Sequence, residues 1–244
     1  MDLGEEKHHL FRTPWDAFPP VVIHSEERFV KRHPLYPSAK EGDARTAEGL
    51  VEDVMATSEL SGLRLLVGSQ SPFLLPVHAL ETEGMNVIPR VFARAISQAL
   101  DLPVFAGVIQ INRVTHTGAS GYHRLAFPAI FGGGVAPVNY LLVDDFIGQG
   151  GTFANLRGFI ETEGGNVIGA TALTGKAYSA ELRLNGQTLI ELKKKHGKQL
   201  EEWWLATFGY GFERLTQSEA RYLLRIDDAN SIPERLALAR RIRD

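Results

Sequence analysis

The chain has 244 residues, 44% of them hydrophobic and 23% charged, a composition that excludes disordered and fibrous classes and fits one large domain or one domain with an appendage. Lys and Arg total 26 against 29 Asp and Glu, so the net charge of -3 provides no global basic field to hold a polyanion non-specifically. The lack of cysteine removes disulfides, thiolate metal sites and cysteine nucleophiles, which leaves His, Asp and Glu for any metal.

Residues 1–10 are polar and acidic where a signal peptide needs a basic end and an apolar run, which predicts a cytoplasmic protein. Residues 1–45 carry Pro14, Pro19, Pro20, Pro34 and Pro37 among several aromatics and read as irregular structure wrapped on a core. The apolar run 63–68 (LRLLVG), bounded by Ser69, Gln70, Ser71 and Pro72, reads as a buried strand. Residues 89–100 place Val91, Phe92, Ala95, Ile96 and Ala99 on one helix face, with Pro89 in the first turn. Strands are predicted at 102–111 and 140–143, separated by a long, poorly patterned connection at 112–139. The uncharged stretch 125–143 holds Pro128, three consecutive glycines and Pro137, so it reads as buried loop and strand rather than a membrane span. Residues 152–163 repeat apolar side chains at helical spacing up to Gly164 and Gly165, and 166–173 return as a strand.

Strands alternating with helices predict an α/β fold, a mainly parallel open sheet flanked by helices. The predicted core is 50–180, preceded by a flank at 1–49 packed on it and followed by a helical extension at 181–244. In that extension Leu189, Leu192, Leu200 and Trp203 or Trp204 form one apolar face, interrupted at Gly197, while Lys193, Lys194 and Lys195 fall mostly on a solvated face. Adjacent Trp203 and Trp204 point about 100° apart on a helix, so they cannot both face one ligand. A last helix at 233–243, with Leu236, Ala239, Arg240 and Ile242, reads as a surface or interface element, and a homodimer is expected.

The most informative segment is 140–152, YLLVDDFIGQGGT. A buried strand delivers Asp144 and Asp145 to its carboxyl end, and Gly148, Gly150, Gly151 and Thr152 then lead into a helix. Paired carboxylates accept hydrogen bonds from vicinal hydroxyls or hold a hydrated Mg²⁺, and backbone N–H groups at a helix start suit a phosphate. A ribose phosphate satisfies both at once. On spacing alone the same residues also read as a strand end and a tight turn with Thr152 as N-cap. The segment lacks the lysine of a Walker loop, and its acids precede the glycines, unlike a dinucleotide fingerprint.

An apolar strand, paired acids, two apolar residues and a small-residue loop resemble the PRPP-binding motif of type I phosphoribosyltransferases, over residues 50–176 and most closely at 140–152. The resemblance implies that fold, with the 1–49 flank packed on the core or forming a hood. It implies that Asp144 and Asp145 engage the ribose 2′- and 3′-hydroxyls, with Mg²⁺ held through water or those hydroxyls. Gly148, Gln149, Gly150, Gly151 and Thr152 would hold the 5′-phosphate, although the family commonly has threonines where Gly148 and Gln149 stand. The turn at Ser69, Gln70 and Ser71 would be the pyrophosphate loop. The connection before the motif would be the flexible catalytic loop; it contains Arg113, His116, Tyr122, His123 and Arg124, of which Arg113 and Arg124 are candidate catalytic cations. Tyr178 or Phe73 are candidates to stack a base.

The implied activity is Mg²⁺-dependent transfer of 5-phosphoribosyl from PRPP to a nitrogen acceptor, a nucleobase by expectation, with release of pyrophosphate. C1–oxygen cleavage toward an oxocarbenium-like state asks for stabilisation of the leaving pyrophosphate rather than a covalent nucleophile. Two alternatives stay open: a PRPP- or nucleotide-sensing regulator or nucleic-acid binder, with Lys193–Lys198 and 235–243 as its basic footprint, and a nucleotide N-glycosidic hydrolase. No membrane partner is expected.

Overall fold

The apolar residues of four parallel strands alternate between two packed faces, and this alternation decides the architecture. The computed structural model describes residues 10–58, 60–78, 80–81, 84–112 and 121–241. In chain order its elements begin with β1 (Val22–Glu26), α1 (Glu27–Lys31), α2 (Tyr36–Lys40), α3 (Ala44–Thr57), α4 (Ser61–Val67) and β2 (Phe73–Pro76). Next come β3 (Leu80–Glu81), β4 (Gly84–Met85), α5 (Ile88–Leu100), β5 (Val108–Gln110), α6 (Gly121–Ala126) and β6 (Phe131–Gly133). The motif lies on β7 (Asn139–Ile147) and α7 (Gly151–Thr162), followed by β8 (Asn166–Gly175), α8 (Gly186–Phe208), α9 (Gln217–Leu224) and α10 (Ser231–Arg241).

The main sheet has the order β1-β8-β7-β2, and every pairing in it is parallel. Leu141 and Val143 of β7 pack with Leu74 and Leu173 against Leu50 and Val54 of α3 and Phe92 and Ile96 of α5. Tyr140 and Leu142 pack with Leu75 and Ala172 on the other side, against Phe153, Leu156 and Ile160 of α7 and against Trp15 and Phe18. Both faces are covered, as a parallel sheet requires, which is why β7 reads as a continuous apolar run. A third core belongs to the C-terminal extension: Trp204, Phe208, Phe212 and Leu223 gather there with Leu125 and Ala126 of α6. Gly197 adopts φ 73 and breaks α8 into two helical stretches, with Leu192, His196, Leu200 and Trp204 buried along one side. Trp204 is the buried member of the tryptophan pair, and Trp203 is only partly buried. Among the described residues, no helix is long and apolar enough to cross a membrane.

Several elements differ from the sequence reading. The run 63–68 is helical, as part of α4: Leu63 and Val67, four apart, are buried while Leu65 is 85% exposed, a helical period that four apolar letters cannot distinguish from a strand. The first strand after it is β2, beyond Pro72. The expected strand at 102–111 is interrupted: Val104 bridges Leu74 of β2, whereas Val108–Gln110 turn away after Gly107 and pair antiparallel with β6. On α5 the buried stripe is Ile88, Phe92, Ala93 and Ile96, rotated from the predicted one, and Ala99 is exposed. The connection at 112–139 contains α6 and β6.

The N-terminal flank departs most. Its residues 22–26 form β1, an edge strand paired to β8 by Val22 opposite Thr171 and Ser25 opposite Thr174, and a boundary at 49/50 falls inside α3. Flank and core are therefore one sheet-and-helix body.

The edge position of β1 half-buries a histidine. His24 Nδ1 lies 2.7 Å from Ser58 Oγ and Nε2 2.9 Å from Thr171 Oγ1, with Phe92 edge-on to the ring. Burial lowers its pKa from 6.5 to about 4. The folded value lies below the unfolded one, so this contribution is complete above pH 6.5 and is lost as pH falls toward 4, a cost of about 3 kcal/mol. His78 and His196 are shifted in the same direction, each chiefly by burial. Urea midpoints should therefore drop across that window, and His24→Gln should flatten the drop; an unchanged slope in the variant would remove His24 as its source.

Candidate functional site

Strand β7 continues four residues beyond Val143, ending at the buried Ile147, and carries the acid pair into the sheet: Asp144 lies opposite Ala172, and Phe146 opposite Thr174. Asp144 and Asp145 are 8% and 6% exposed, so neither is a solvated strand terminus. Two buried carboxylates side by side need compensation. Lys40, at the end of α2, supplies it, with Nζ 2.9 Å from Asp145 Oδ2. Asn86 also donates to Asp145, and the Asp145 backbone N–H donates to Asp144 Oδ1 at 2.8 Å.

The pair divides the charge. Burial and then the neighbouring charge of Asp145 push the Asp144 carboxyl well above the ordinary carboxylate value. Burial pushes Asp145 up as well, but the Lys40 ammonium and the hydrogen bonds from Lys40, Asp144 and Asn86 outweigh it and hold Asp145 below that value. The two carboxyls titrate as a coupled pair in which Asp144 holds its proton more tightly than Asp145.

The loop after β7 forms the other wall. Gly150 adopts φ 81 at the N-cap of α7, and no side chain caps that helix. The first intrahelical bond runs from the Ala154 N–H to the Gly150 carbonyl, so the N–H groups of Gly151, Thr152 and Phe153 have no acceptor inside the helix. Neighbours crowd the glycines of the loop: a Cβ at 148 would meet Nη1 of Arg124, and one at 150 would collide with Leu182. A Cβ at 151 would stand 2.6 Å from Glu219 Oε1. The C-terminal extension fastens the loop from outside, where Thr216 Oγ1 donates to the Gln149 carbonyl at 2.6 Å. Gln149 Oε1 is buried with no hydrogen-bond partner among the described residues.

Both walls open on one cleft of roughly 160 Å³, lined also by Lys40, Asn86, Arg124 and Gln110. The cleft lies at the carboxyl end of β7, where open parallel sheets bind ligands. Its floor is a buried ion pair. Arg12 Nη1 and Nη2 hold Glu219 Oε2 and Oε1 at 2.6 and 2.9 Å, and Arg12 Nε donates to Asn155 of α7 at 2.7 Å. The guanidinium also lies 4.4 Å from the centre of the Tyr210 ring. Burial alone would lower the Arg12 pKa, but Glu219 reverses this and keeps it charged.

The structure thus brings together Asp144, Asp145, Gly148, Gln149, Gly150, Gly151, Thr152 and Arg124. It separates Ser69, Gln70 and Ser71 from them. These residues precede β2, and Gln70 Oε1 accepts from Asn139 at the start of β7, the opposite end of the sheet from the acids. The displacement follows from reading 63–68 as the strand; the segment that leaves the carboxyl end of β2 is Val77 and His78. Arg113 and His116 lie outside the described residues. Tyr122 stacks edge-on with Tyr222, His123 packs on Phe127, and Phe73 is a core residue between Phe105 and Tyr140. Tyr178 is 59% exposed.

Sequence reasoning missed Lys40, Asn86 and the Arg12–Glu219 pair. The need for a cation beside two buried acids was legible, but which of 26 basic residues would supply it depends on how the flank folds back, and no spacing encodes that.

No protein-family model matches the chain. It is similar to Protein TraN of Escherichia coli, 39% identical over 230 residues that make up 94% of this chain and 51% of that protein. It is also similar to an uncharacterized protein of Haemophilus influenzae, 36% identical over 163 residues, 66% of this chain and 36% of that one. The chain spans about half the length, or less, of these curated relatives, and neither name states a reaction or a ligand.

Proposed function

We propose that this chain is a phosphoribosyltransferase of the type I kind, moving 5-phosphoribosyl from PRPP to a nitrogen acceptor with release of pyrophosphate. The observation that supports the reading is the opening of a coupled, buried acid pair and an uncapped, glycine-rich helix start on the same cleft. Paired carboxyls suit vicinal hydroxyls, a phosphate needs converging N–H groups, and a phosphorylated pentose presents both along one strand and turn. The parallel order of β2, β7 and β8, with β7 feeding α7, supports the family's fold.

In this reading the Asp145 carboxylate accepts from one ribose hydroxyl while Asp144 pairs with the other, and the α7 start holds the 5′-phosphate. Asp144 and Asp145 would hold a Mg²⁺ through water or the ribose hydroxyls, and the metal would supply charge neutralisation for the leaving pyrophosphate. The donor set fits that mode, since Lys40 already occupies Asp145 and a direct carboxylate cage is not what these residues build. Val77 and His78, leaving the carboxyl end of β2, take the position that the resemblance gives to the pyrophosphate loop. Lys40 sets the charge of the pair.

The nucleic-acid alternative is weakened by the pairing of its basic residues: Lys193 with Glu201 at 2.8 Å, Lys195 with Asp227 at 3.3 Å and Lys198 with Glu202 at 3.2 Å. The test is a panel of purine, pyrimidine and pyridine bases offered with PRPP and Mg²⁺ and scored by mass spectrometry. A base-ribosyl 5′-phosphate with stoichiometric pyrophosphate is expected. Free base released from nucleotides, with no PRPP-dependent product, would make the protein a hydrolase instead.

A further inference from the structure

We propose that Arg124 is a 5′-phosphate ligand of this site, its guanidinium standing in for the hydroxyls that Gly148 and Gln149 do not supply. The inference rests on the phosphoribosyl reading above. Thr152 is the one hydroxyl in the loop 148–152. Backbone N–H groups alone give a phosphate no full positive charge, and a charge-assisted contact is about twice as strong as a neutral one. Arg124 lies where such a charge is missing. It lines the cleft, and its Nη1 occupies the space into which a Cβ at 148 would project. Glycine at 148 is thus what admits the guanidinium to the loop.

Arg12 spends its fork on Glu219 and its Nε on Asn155, so it acts as a structural cation beneath Gly151. Arg124 is half-buried, its electrostatic neighbours being Glu27 of α1 and Tyr178 beyond β8. A planar fork in a partly desolvated cleft is suited to two phosphate oxygens at once.

The position of Arg124 also gives the C-terminal extension a task. α6 carries Arg124 and packs against that extension: a Cβ at Gly121 would collide with the Tyr222 ring, Tyr122 stacks on the same ring, and Arg240 Nε donates to the Ala126 carbonyl at 3.4 Å. With Thr216 bound to the Gln149 carbonyl, the extension thus holds both the loop and the cation above it.

Calorimetric titration of the full chain with ribose 5-phosphate, and separately with inorganic pyrophosphate, tests the inference. Arg124→Ala should weaken ribose 5-phosphate binding by about 10- to 100-fold, leave pyrophosphate binding within about 2-fold, and be partly rescued by Arg124→Lys. Gly148→Ala should weaken ribose 5-phosphate in the same sense; its methyl requires only the flexible guanidinium tip to move, so it serves as the deciding variant if Arg124→Ala lowers the thermal midpoint. Undiminished ribose 5-phosphate binding in both variants, or a loss confined to pyrophosphate, overturns the role of Arg124 while leaving the site reading intact. Failure of the unsubstituted protein to bind either ribose 5-phosphate or PRPP overturns both.

Discussion

Asp144→Asn combined with Asp145→Asn should leave the thermal midpoint nearly unchanged and abolish PRPP-dependent pyrophosphate release. A hydrogen bond from a hydroxyl to a charged carboxylate is worth roughly 1.5–3 kcal/mol and one to a neutral carboxyl about 1 kcal/mol, so losing both costs about 10²- to 10³-fold in rate. The single variants should differ, because burial and the charge of Asp145 raise the Asp144 pKa while Lys40 lowers that of Asp145. Asparagine mimics a neutral Asp144, and Asp144→Asn should therefore be the milder change. Asp145→Asn removes the ionised partner of Lys40 and should be the more damaging one. A more severe Asp144 variant would place the proton on the other carboxyl, and full turnover in the double variant would remove the pair from the reaction. The sign also fixes a pH expectation. Since Asp144 is raised and Asp145 lowered, the doublet keeps a single negative charge between the two titrations, and binding should be flat across that interval.

Arg12→Ala, or Glu219→Gln, should cost about 3–5 kcal/mol, because removing one partner strands the other charge in a site where the two side chains are only 3% and 4% exposed. For a chain of this size that is a fall of about 10 °C in the unfolding midpoint. Glu219→Gln is the cleaner probe, since glutamine can keep the capping box in which the Glu219 side chain accepts from the Thr216 N–H and the Thr216 hydroxyl from the Glu219 N–H. The loss should be shared by two regions far apart in sequence. Hydrogen exchange should accelerate in α8 to α10 and in the loop 148–152, whose Gly151 abuts Glu219 and whose Gln149 carbonyl is held by Thr216. A double-mutant cycle with both partners made apolar separates the pair's own coupling from the penalty of the stranded charge. Faster exchange in the C-terminal helices alone would show that the extension does not brace the loop.

The part of the molecule that was legible is the part where local signals agree. At 139–175 a continuous apolar strand, a Gly-rich bend, a helical repeat ending at Gly164 and Gly165, and a second apolar strand point one way, and β7, α7 and β8 form there. At 63–68 the local signal was degenerate: four apolar side chains within six residues satisfy a buried strand and a buried helical turn alike, and tertiary packing of Leu63 and Val67 chose the helix. That one ambiguity displaced the expected pyrophosphate loop to the opposite edge of the sheet, since a loop is located only relative to the strand it follows.

By itself, the sequence determined that two carboxylates and a row of small residues lie at a strand-to-helix turn, because backbone geometry carries neighbours in the chain into neighbours in space. Tertiary structure alone decided which carboxyl holds its proton more tightly, which cation pairs with the other and which guanidinium overhangs the loop. Lys40 is 105 residues from Asp145, and Arg12 is 207 from Glu219. Over such separations a charge is placed by the packing of whole elements, and its energy depends on burial and distance, neither of which exists until the chain has folded.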